Sequence, residues 1–169
     1  INPNDSGGNV EKWLIEVETV MRKSMAYTID FSMKDFLESD RIEWLQRWQG
    51  QVDICINQTR WCADVEKVLT DGVAGGLQLY YEHLCRELMR TVELVRGDIP
   101  KALRTAVGAL VVMDVHNRDT VSEMVQTNVE NKTDFDWLAQ MRYYWTADGV
   151  SAMTGKPGSI QCRMINAMA

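Results

Sequence analysis

The sequence predicts a mainly α protein: an elongated bundle of about five helices with a small β-hairpin-like appendage at the C-terminal end. Three observations carry this. Proline, which breaks helices, occurs only three times in 169 residues, whereas methionine, a good helix former, occurs ten times. Apolar residues recur at i, i+3 and i+4 through most of the chain, the period of one helix face. After about residue 141 that period is lost, and short strand-like runs alternate with turn signals.

Residues 1–8 are polar and glycine-bearing, and read as a linker or frayed end. Asn9 offers an N-cap, although Lys12 stands where a capping box would place Glu. From there Val10, Trp13, Leu14, Val17, Val20, Met21 and Met25 mark one helix, which continues through Met33, Phe36 and Leu37 toward Ser39. Asp40 caps a second helix carrying Ile42, Leu45 and Trp48, with Trp44 on a flanking face, and Gly50 interrupts it. A third helix holds Val52, Cys55, Ile56, Trp61 or Cys62, Val65 and Leu69. Asp71-Gly72 and Gly75-Gly76 then break the chain.

The fourth helix runs from Leu77 through Tyr80, Tyr81, Leu84 and Leu88 to Val95, and Gly97 ends it. Asp98 is the expected cap of the fifth, with Pro100 in its first turn and Leu103, Val107, Leu110, Val111 and Val115 on its apolar face. Residues 127–133 form a polar loop, and Thr133 or Asp134 caps a short helix to about Met141. Tyr143–Thr146, Val150–Met153 and Ile160–Ile165 are strand-like, separated by turns at Asp148-Gly149 and Thr154–Ser159.

Composition narrows the function classes. A chain of this length is one domain able to bury a proper core, hiding about 68–70% of its unfolded surface. With 46% hydrophobic and 25% charged residues, usage is ordinary for a globular protein. The net charge of -6 and scattered basic residues argue against nucleic-acid or acidic-membrane partners, which demand clustered Lys and Arg. The longest apolar run, Ala109–Met113, is far too short for a membrane span. Cys55, Cys62, Cys85 and Cys162 form no CxxC pair and read as reduced thiols of a cytoplasmic compartment.

No constellation of reactive residues stands out. Thr154-Gly155-Lys156 suggests a phosphate loop, but Val150 and Pro157 occupy positions where glycine and a hydroxyl residue are required, so a plain turn is the better reading. His116 and Asp119 share a helix face, yet two ligands do not hold zinc, and His83 lies on another helix. Cys55 and Cys62 fall seven apart on one apolar face, as small hydrophobes do. The acidic pairs Glu16/Glu18 and Glu38/Asp40 fit a solvated face and a cap. The expected catalytic, cofactor-binding and metal sites are therefore none.

Several stretches nevertheless resemble one family, in order along nearly the whole chain from residue 9. Val10–Glu18 is similar to the opening of the last part of a dynein heavy-chain linker. Trp48-Gln49-Gly50-Gln51-Val52 resembles a Trp-Pro-Gly-Gln segment, with Gln49 replacing the proline. Val92–Gly97 and Gly108–Asp119 resemble axonemal members. Asp134–Trp145, with five aromatic residues in twelve positions, is similar to the stretch just ahead of the first AAA+ module, and Arg163–Ala167 completes the series. Each motif is weak alone; their order is specific.

The resemblance implies a function that composition does not. The chain would be the ring-proximal part of a helical bar that couples ATP-driven changes in the AAA+ ring to a power stroke along microtubules. Residues 9–141 would be the helical linker subdomain and 142–169 the strands leading into the first AAA+ module. Trp137, Arg142, Tyr143, Tyr144, Trp145 and Asn166 would make structural or interdomain contacts. The segment itself would not be an enzyme; ATP and Mg would belong to the parent motor. Expected partners are the AAA+ ring of the same heavy chain and other dynein-arm or axonemal subunits, in the axoneme of cilia or flagella. A stand-alone helical scaffold or interaction module without catalytic activity is the alternative.

Overall fold

The computed structural model describes residues 7, 9–48, 50–147 and 160–162. Among these residues the fold is a mainly α bundle of six helices and a two-stranded pair: α1 Val10–Glu38, α2 Arg41–Arg47, α3 Gln51–Asp71, α4 Gly76–Arg96, α5 Lys101–Gln126, α6 Phe135–Leu138, β1 Trp145–Ala147 and β2 Ile160–Cys162.

Local chemistry sets most of the boundaries. The Asn9 side chain accepts from the Lys12 N–H at 3.1 Å, closing the first turn of α1 as its sequence suggests. Asp40 does the same for α2 through the Ile42 N–H at 3.0 Å. Gly50, at φ 81° and ψ -136°, separates α2 from α3 in a conformation that side-chain-bearing residues rarely adopt. Gly72, left-handed at φ 59°, ends α3.

Three expectations shift. The N-cap position of α5 is Pro100 rather than Asp98. Proline biases the residue before it away from helical angles, so the helix starts only after the ring. Trp44 lies in the core rather than on a flanking face, because the seven-residue α2 turns its indole inward. There the indole N–H donates to the Ser32 carbonyl at 3.0 Å, and Phe36 meets its ring edge-on at 4.9 Å. Finally, α6 stops at Leu138, short of Met141, because Arg142 and Tyr143 leave the helix to contact α3.

The core has two apolar halves joined by α3. One gathers Ile29, Trp44, Leu45, Val52, Ile56 and Leu110 around the α1–α2 corner. The other holds Trp61, Cys62, Val65, Leu69, Val121, Met124 and Trp137 near the C-terminal end of the bundle. Seven residues apart on α3, Cys55 packs against the first half and Cys62 sits inside the second. α4 and α5 form the most extensive helix pair. No helix among the described residues is long and apolar enough to cross a membrane.

Asp53, in the first turn of α3, is 2% exposed, and neither carboxylate oxygen has a hydrogen-bond partner among the described residues. Burial pushes its pKa up from 3.8 to about 7. Raised above its unfolded value, it costs nothing below pH 4, costs more as pH climbs through 4–7, and costs in full above that window. Asp53→Asn should therefore unfold at higher urea than wild type at pH 8, by about 2–4 kcal/mol, with little difference at pH 4. Equal pH dependence of the two proteins would show that Asp53 is solvated or paired.

Candidate functional site

The residues singled out near the C-terminal end converge on one face of α3. Trp61, Cys62, Val65, Glu66 and Leu69 recur at one-turn spacing there. Trp137, presented by α6, is fully buried against this face and meets Trp61 at 5.4 Å with an interplanar angle of 63°. Its indole N–H has no hydrogen-bond partner among the described residues, so apolar contact and ring geometry hold it.

The chain then crosses back over α3. The Tyr143 N–H donates to Cys62 Sγ at 3.2 Å. Arg142, only 7% exposed, lies 5.8 Å from the Trp137 ring centroid and 5.9 Å from that of Tyr144. One of its nitrogens donates to the Tyr144 hydroxyl at 3.1 Å, and that hydroxyl donates to the Glu66 carboxylate. Burial, then the bond to Glu66, pushes the Tyr144 pKa up, so the phenol stays a donor at neutral pH.

Immediately beyond Tyr144 the backbone enters β1, which pairs antiparallel with β2: Trp145 opposite Cys162, Thr146 opposite Gln161, Ala147 opposite Ile160. This gives a strand pair, as expected, but the first strand begins two residues late because Tyr143 and Tyr144 are engaged by α3. The expected strand at Val150–Met153 and turn at Thr154–Ser159 lie outside the described residues, as do the rest of the last strand and Asn166.

Thus Trp137, Arg142, Tyr143 and Tyr144 come together, and Trp145 opens the strand that follows them. Sequence reading missed their receivers, Trp61, Cys62 and Glu66. A carboxylate one turn after Cys62, beside an apolar stripe, was the available signal.

A second polar assembly lies between the two core halves. Arg41 donates to both Asp114 oxygens at 2.9 and 2.8 Å, to Asn57 at 3.0 Å and to Thr91 at 3.1 Å. This fastens α2 to α3, α4 and α5 at once, beside a cleft of about 350 Å³. Burial raises the Asp114 pKa and the Arg41 charge opposes that rise. Arg90 secures the same corner through Asp40 at 2.6 Å and Glu87 at 3.0 Å.

Of the three residues considered for metal chemistry, two have other partners. His83 stacks on Tyr80 at 6.0 Å, His116 is exposed, and Asp119 takes the Arg118 guanidinium at 2.6 Å. Among the described residues no group of three or more His, Cys, Asp or Glu side chains could hold a metal ion.

Fold and site together define a helical bundle fastened, through an aromatic and arginine junction, to a C-terminal strand pair. No protein-family model matches the chain. It is 45% identical over 145 residues to dynein axonemal heavy chain 12 of Homo sapiens, covering 86% of this chain and 5% of that protein. It is 36% identical over 150 residues to dynein axonemal heavy chain 3 of Mus musculus, covering 89% and 4%. Against dynein axonemal heavy chain 1 of Homo sapiens the identity is 40% over 139 residues, covering 82% and 3%. The chain belongs to the axonemal dynein heavy chains and spans about one-twentieth or less of the length of these relatives.

Proposed function

We propose that the chain serves as the ring-proximal part of the mechanical linker in an axonemal dynein heavy chain. In this reading residues 9–141 are the rigid bar, residues 1–8 lead into it, and residues 142–169 carry it into the first AAA+ module. The observation that supports it best is the junction at α3. A displacement of the strand pair would reach the bundle through Tyr144, Arg142 and Trp137, all held against one helix. Packed cores move as bodies rather than deforming continuously, so the bar would pass displacement on.

The same reading places ATP and Mg in the parent motor, where turnover would drive movement along microtubules. Its partners are the AAA+ ring of the same heavy chain and neighbouring arm or axonemal subunits, in cilia or flagella. The segment takes part as a lever and supplies no reacting group.

The test is to uncouple the junction within the heavy chain. Tyr144→Phe with Arg142→Met should leave ATP turnover near wild type while microtubule gliding slows several-fold. Gliding at the wild-type rate, or turnover lost in proportion to gliding, would overturn the reading.

A further inference from the structure

We draw no further inference here: the strongest candidate, the cleft of about 350 Å³ lined by Trp61 and Asn117, whose buried Nε1 and Oδ1 have no hydrogen-bond partner among the described residues, carries nothing, because its Arg41, Arg60 and Arg90 are already paired with its own Asp114, Asp64 and Asp40 and nothing in the structure shows what would fill it.

Discussion

Trp137→Ala is expected to destabilise the chain by about 3–5 kcal/mol, the usual range for emptying a large aromatic site that cannot collapse. Trp137 is fully buried, packed on Trp61 and covered on another side by the Arg142 guanidinium. Removing the indole opens a void between α3 and the exit segment and takes the ring from under Arg142. Trp137→Phe should cost much less, below about 1.5 kcal/mol, because no hydrogen bond of the indole is lost. Trp44→Phe is the contrasting case, since it forfeits the bond to the Ser32 carbonyl. Urea unfolding of the three variants checks the set. A near-neutral Trp137→Ala would mean that α6 does not hold the junction closed.

Arg41→Met should be comparably severe, about 3–5 kcal/mol. The guanidinium is 13% exposed and joins Asn57, Thr91 and Asp114. Without it the Asp114 carboxylate, itself 12% exposed, remains in a site that already disfavours charge. Most of the loss comes from that stranded acid rather than from attraction forgone. Arg41→Met combined with Asp114→Leu should therefore recover much of the stability. A double variant no better than the single would show that the guanidinium matters mainly through Asn57 and Thr91.

These effects mark the boundary of what the sequence discloses. Caps and breaks act within a few residues, so Asn9, Asp40, Gly50 and Gly72 could be placed before the fold was seen. Trp137 stands in an otherwise apolar helical turn, a local sign of an interior position. The Arg41–Asp114 pair spans 73 residues and leaves no local trace. Asp53 is silent for a related reason: nothing beside it in the sequence marks its burial, and only packing shows that both oxygens are sealed. The junction was half legible. Its aromatic residues stand out as a run, whereas Glu66 and Cys62, which receive them, sit about eighty positions earlier on α3.

Coupling between bundle and ring is the claim on which the functional reading stands. It is tested most directly by the distance between a label at the exposed Glu82 on α4 and one on the first AAA+ module, followed in the intact heavy chain with and without ATP. If the bundle is a lever, the distance changes as a single step with nucleotide, and the change vanishes in Tyr144→Phe with Arg142→Met. A distance that stays constant through every nucleotide state would contradict the lever and leave the bundle a static scaffold.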